Sequence, residues 1–270
     1  MATNVFLAFI VGIIEGITEW LPISSTGHMI LFQEFFPMKV SASFWEMFLV
    51  VIQLGAVLSV VMIYFKKLFP FSLKKGEDFI KKDIFSLWIK IIVSCLPAAV
   101  IGILFEDTFD RLFYNSRSVS IALIVFGILF IAVEMLNKKS AKINSISEIT
   151  YNTAILIGIF QVLAAVFPGV SRSGATILGA IIIGVSRTVA AEYTFFLAVP
   201  VMAGASLLKI VKFGFDFSLE EVVILIVGMV TAFLVSVLAI KFLVGYVKKH
   251  DFKVFGIYRI ILGILVLLLL

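Results

Sequence analysis

Charged side chains are scarce in this chain, at 14% of its 270 residues against about 25% in soluble domains. Cysteine occurs once, as Cys95, which excludes an intrachain disulfide and a cysteine-based zinc site. The N-terminal MATNVF has no basic n-region, so no cleavable signal peptide is expected. No GK[ST] follows any glycine run, so no Walker loop is present. Short alternating segments of the kind that build a transmembrane barrel are missing too. What fills the chain is apolar: 62% hydrophobic residues in many long blocks. That pattern marks a polytopic, all-α integral membrane protein, because backbone polar groups in lipid must be paired within a helix. The net charge of +5 would point to nucleic acid in a soluble domain. Here it reads as loop lysines on the cytoplasmic side, and no nucleic-acid partner is expected.

Six full spans read as Glu46–Phe65, Ser86–Phe105, Val119–Leu136, Glu192–Val211, Val222–Val244 and Val254–Leu270. Two further apolar tracts are broken. The first, over residues 5–36, is interrupted at Leu21–Gly27; its leading arm, Val5 to Trp20, would rise only ~24 Å against a hydrocarbon core of ~30 Å. The second, Tyr151–Val185, is interrupted at Phe167–Gly174. Both read as re-entrant helix–loop–helix segments, which are tolerated at membrane depth only where protein or water covers the loop.

The chain repeats itself. A shift of 146 residues sets Gly12 on Gly158, Glu15 on Gln161, Pro22 on Pro168 and Glu46 on Glu192. One inserted residue after the proline then sets Ser24 on Ser171, Ser25 on Arg172, Thr26 on Ser173 and Gly27 on Gly174. Each repeat, about 1–136 and about 151–270, holds one broken segment and three spans. An odd number of crossings puts the two halves in opposite orientations, an inverted-topology repeat. Loop charge agrees. Lys66, Lys67, Lys74, Lys75, Lys81 and Lys82, then Lys138, Lys139 and Lys142, then Lys248, Lys249 and Lys253 fall on one side, which the positive-inside rule makes cytoplasmic. Glu106, Asp107, Asp110, Asp216, Glu220 and Glu221 fall on the other. The two loop tips are expected to meet near the midplane.

The first tip lies in EGITEWLPISSTGH, Glu15 to His28. Ionisable groups at membrane depth are functional candidates. Glu15 and Glu19 share one helix face and suit a divalent cation; the plain alternative is a pair of helix-end acids reaching interfacial water. Ser24, Ser25 and Thr26 lead into the second arm, where they can cap it, and a helix N-terminus also binds phosphate oxygens. His28 is a candidate acid, base or nucleophile, or a packed neutral histidine. The second tip is Pro168-Gly169-Val170-Ser171-Arg172-Ser173-Gly174-Ala175-Thr176. Arg172 in an apolar tract needs an anion, either a phosphate or Glu15 or Glu19. Together these parts suit hydrolysis of a phosphate ester or anhydride with a lipid tail. A carrier for a lipid phosphate, such as a flippase, would use similar architecture.

These blocks, with SRTVAAEYTFFLAVP at Ser186–Pro200, resemble the bacterial undecaprenyl-diphosphate phosphatases of the bacitracin-resistance type over essentially the whole chain. The resemblance implies release of the terminal phosphate of undecaprenyl diphosphate, supply of the lipid carrier for peptidoglycan and other wall polymers, and bacitracin resistance. It implies a multi-pass protein of the bacterial plasma membrane, a homodimer, with its site open to the outer face and dependent on Mg²⁺ or Ca²⁺. By motif match, Glu19, Ser25, His28 and Arg172 are catalytic and Glu15 and Glu19 are the metal-binding acids. Ser24, Thr26, Gly27, Ser171, Ser173, Gly174 and Thr176 line the substrate pocket. The attacking group stays open between serine, histidine and metal-bound water.

Overall fold

The structure is a computed structural model that describes residues 1–72, 78–137 and 140–270, with Glu106 and Asp110 described by backbone alone. Lys74, Lys75, Lys138 and Lys139 of the cationic loops lie outside the described residues. The described chain is helical: α1 (Ala2–Thr18), α2 (Ser25–Phe35), α3 (Ala42–Ile63), α4 (Phe65–Leu68), α5 (Lys82–Phe113), α6 (Ser116–Leu136), α7 (Tyr151–Val166), α8 (Arg172–Ile182), α9 (Arg187–Phe213), α10 (Leu219–Val247) and α11 (Lys253–Leu269).

Among the described residues, α3, α5, α6, α9 and α10 are long and apolar enough to cross a membrane. The sixth expected span, α11, forms where anticipated but has only 17 residues, a rise of about 26 Å. The other five are all longer than the hydrophobic runs suggested, α5 and α9 the most. α5 continues to Phe113 through Pro97, and α9 begins at Arg187 and passes through Pro200. Polar flanking turns extend a helix without extending its apolar stretch, so hydropathy understates both.

The broken tracts are two helix pairs, α1–α2 and α7–α8. At each break the residue before the second helix is a serine with φ 71°, Ser24 and Ser171, and no other non-glycine residue among the described residues has positive φ. A left-handed serine costs energy, so the surrounding contacts must impose it twice. α1 lies on α10 and α7 on α5, while α3 meets α9 and α6 meets α11. The α1–α10 and α7–α5 contacts are close because of glycine. A Cβ on Gly12 would lie 2.7 Å from the Gly228 carbonyl oxygen, and one on Gly158 would meet the Ser94 carbonyl oxygen. Gly12 and Gly16 therefore pack against α10 within the chain.

Hydrogen bonds sort the helix ends. Glu134 near the end of α6 accepts from Arg187 at the start of α9 and from the Phe252 N–H between α10 and α11. Lys67 of α4 pairs with Glu192 of α9, and the Lys142 N–H donates to the Gly184 oxygen after α8. The described parts of the three cationic loops thus gather at one end. At the other end the Asn4 amide donates to the Lys39 carbonyl and to Glu220. A polar cavity of about 400 Å³ opens at the cationic end, lined by Glu134, Asn137, Lys142, Gly184 and Arg187. It lies the length of α8, about 16 Å, from the loop tips.

The two broken pairs are packed differently. α8 is buried from Ser173 through Ile181, whereas α2 buries only Gly27, Met29 and Phe32. α8 is a central element of the bundle and α2 lies nearer its surface.

Candidate active site

The α1–α2 and α7–α8 loops meet. Arg172, in the first turn of α8, donates through Nη2 to Glu19 Oε1 at 2.7 Å across 153 residues of sequence. Its Nη1 donates to the Thr194 carbonyl of α9 at 2.7 Å. Its cationic plane stands 5.9 Å from the Trp20 ring, and its Nε is buried with no hydrogen-bond partner among the described residues. Both ion-pair side chains are largely hidden, at 7% exposure for Glu19 and 12% for Arg172. Ser173 Oγ donates to the Glu19 carbonyl at 3.0 Å, a second tie between the loops.

Glu15 lies one turn before Glu19 on α1, and the two carboxyl groups are side by side. The Ser25 hydroxyl lies beside the Glu19 carboxylate. Glu15 Oε1 and Ser24 Oγ are buried without a partner among the described residues. Acid pair, serine hydroxyl and arginine therefore occupy one junction, as their residue types suggested. Unpartnered buried polar atoms are costly, and four of the atoms at this junction and beside it stand that way: Glu15 Oε1, Ser24 Oγ, Arg172 Nε and Trp20 Nε1.

The two loop serines behave differently. Ser171 caps α8 by accepting from the Gly174 N–H at 3.1 Å, while Ser24 occupies the N-cap position of α2 without capping it. The capping expected as the plain alternative for Ser24 is absent there, and Ser171, for which it was not raised, is the serine that caps. Thr176 does not face the junction with a free hydroxyl. It donates back to the Arg172 carbonyl at 2.9 Å and meets Thr194 Oγ1 at 2.9 Å. Gly27 is small for packing, because a Cβ there would lie 2.9 Å from Leu123 of α6. Thr26 is half-buried in the first turn of α2.

His28 is not drawn into the acid–arginine group. Its Nδ1 meets the Ser24 carbonyl and its Nε2 the Tyr258 hydroxyl of α11, both at 2.7 Å, with the two rings stacked. A carbonyl only accepts, so Nδ1 carries the proton and Nε2 faces the phenol. Tyr258 and its neighbour Arg259 escaped the sequence reading. They sit in what looks like an ordinary apolar span, and the signal that marks them is an arginine in mid-helix near the C-terminus. Arg259 is fully buried and donates to the Pro22, Gly169 and Val170 carbonyls.

Only two carboxylates converge here, and no group of three or more His, Cys, Asp or Glu able to hold a metal occurs among the described residues. That set fits a hard divalent cation which takes its remaining oxygens from substrate phosphates and water, as Mg²⁺ commonly does.

The family description "Bacitracin resistance protein BacA" matches residues 8–265. The chain belongs to this family. It is 66% identical over 265 residues to undecaprenyl-diphosphatase 1 of Clostridium acetobutylicum, covering 98% of this chain and 96% of that protein. It is 62% identical to the undecaprenyl-diphosphatase of Desulfitobacterium hafniense, covering 98% and 95%. An undecaprenyl-diphosphatase of Enterococcus faecalis is 58% identical over 260 residues, covering 96% and 94%.

Proposed function

We propose that the protein hydrolyses undecaprenyl diphosphate to undecaprenyl phosphate and inorganic phosphate at the junction of the two loops. It thereby supplies the lipid carrier for wall polymers and confers bacitracin resistance. The observation that carries this reading is the Glu19–Arg172 pair with Ser25 and Glu15 beside it, in a family whose relatives bear the diphosphatase name. A carrier would need the same arginine but has no evident use for a serine hydroxyl set beside a carboxylate.

The roles follow from contacts. Arg172 is anchored by Thr194 and Glu19 and keeps Nε free for phosphate oxygen, where charge develops as the anhydride breaks. The N-termini of α2 and α8, each of 11 residues, add backbone N–H donors; Ser24 leaves those of α2 unspent. Glu19 accepts the proton of the attacking hydroxyl, that of Ser25 or of water, as that hydroxyl's oxygen bonds the terminal phosphorus and the bridging P–O bond breaks to release undecaprenyl phosphate. Water attack yields inorganic phosphate directly, and after Ser25 attack a water hydrolyses the phosphoserine to the same product. Glu15 and Glu19 would hold Mg²⁺ or Ca²⁺, which when bound neutralises phosphate charge. Ser171, Ser173, Gly174 and Thr176 keep the α8 tip in shape. His28, bonded to Tyr258, moves protons at the edge of the site rather than at Ser25.

The same reading covers architecture. The paired contacts α1–α10 with α7–α5, and the twin left-handed serines, support an inverted repeat of two re-entrant pairs within a six-span plasma-membrane protein. Its site opens outward, and it works as a homodimer.

Phosphate release by purified protein in detergent tests the activity, because no transport is possible there. Release from an isoprenyl diphosphate with Mg²⁺ or Ca²⁺ supplied is the expected result; none at all would reject hydrolysis and revive the carrier.

A further inference from the structure

We infer that Arg259 of α11 is the positioning residue that holds the two catalytic loops in register, an inference that rests on the site proposed above. Its side chain is fully buried, and no carboxylate among the described residues lies within 4 Å of it. Instead Nη1 donates to the Pro22 carbonyl at 3.3 Å, and Nη2 donates to the Gly169 and Val170 carbonyls at 2.9 and 2.8 Å. The guanidinium stands 5.7 Å from the Phe126 ring. A buried cation without an anion is expensive, and a site retains one only where its geometry is useful.

The acceptors explain the use. Pro22 lies in the break between α1 and α2, and Gly169 and Val170 lie in the break between α7 and α8. Backbone at a helix break leaves carbonyls unpaired, which lipid cannot satisfy. One planar fork answers three of them, on both loops at once. Pro22 is three residues before Ser25, and Val170 is two before Arg172. The other ties between the loops, Arg172–Glu19 and Ser173–Glu19, use residues of the site itself. Arg259 joins the loops from outside, on a helix that contributes no group to the acid–arginine cluster. Gly174 admits it: a Cβ there would lie 3.1 Å from Nη1. Lysine keeps the charge but cannot span both loops, since it is a point donor on a flexible stem. Small misplacements of reacting groups cost about 100-fold in rate.

The test is a double-mutant cycle on phosphate release from an isoprenyl diphosphate by purified protein in detergent. Arg259→Lys should lower kcat by about 100-fold with KM changed less than about threefold. Arg172→Lys should be similarly impaired. The double variant should fall no more than about threefold below the worse single, because both changes damage one geometry. Losses that multiply would show that Arg259 acts independently of the loops and would overturn the inference. So would normal turnover of Arg259→Lys beside a crippled Arg172→Lys, whereas normal turnover of Arg172→Lys would reject the site itself. Should Arg259→Lys fail to fold, Phe126→Leu replaces it. That change leaves both loops intact and removes the ring beside the guanidinium; a loss of about 3–10-fold in kcat is expected, and unchanged kcat overturns the inference.

Discussion

Glu19→Gln separates the roles of ion pair and base. The substitution keeps the shape and keeps an oxygen facing Arg172 Nη2, now at 2.7 Å from an amide instead of a carboxylate. One hydrogen bond between charged groups becomes a bond from a cation to a neutral acceptor, which changes stability by about 1.5–3 kcal/mol at most. The loss is smaller than the ~3–5 kcal/mol for orphaning a buried charge, because Glu15 remains beside it. The protein should therefore stay folded, with a modestly lowered unfolding midpoint. Turnover should fare much worse. The Ser25 hydroxyl loses the carboxylate beside it, and removing a general base costs about 10²–10⁴-fold. Phosphate release gives kcat, and size-exclusion chromatography with thermal unfolding gives the folded fraction. A folded variant retaining more than a tenth of wild-type kcat would refute Glu19 as the proton acceptor and leave it a structural partner of Arg172.

Further outcomes follow from other contacts. Glu15→Gln should raise the Mg²⁺ or Ca²⁺ concentration needed for half-maximal activity about tenfold or more, and chelator should abolish wild-type activity reversibly; an unchanged metal requirement removes Glu15 from the ligand set. Tyr258→Phe deletes only the hydroxyl that meets His28 Nε2; kcat should drop several-fold, whereas Tyr258→Phe added to His28→Ala should cost nothing further, measured by the same phosphate assay. Gly158→Leu forces side chain into the Ser94 backbone and should lower the unfolding midpoint sharply, as overpacking at a helix crossing costs about 1–3 kcal/mol or more. For topology, Ser41→Cys and Asp216→Cys in intact cells should react with an impermeant thiol reagent, and Lys248→Cys should not. The reverse pattern would turn the proposed site inward.

The sequence alone determined the class of protein, the places where helices break and a set of candidate residues for chemistry. Those are local properties. A span is legible because about twenty apolar residues must be consecutive, and a break because proline, glycine and serine interrupt them. The pairing of the two tips was legible as well, through the repeat and through an arginine that needed an anion. Tertiary structure alone decided which anion: Glu19, not Glu15, receives Arg172. It sent Ser25 to Glu19 and turned His28 toward α11, 230 residues away. It also distinguished a capping Ser171 from an uncapping Ser24, though both hold the same φ. Arg259 was invisible as a site element because its partners are backbone carbonyls, and carbonyls carry no residue identity in a sequence. Which helix end or loop presents them depends on how α11 packs beneath both breaks, a contact between distant segments that no local pattern encodes.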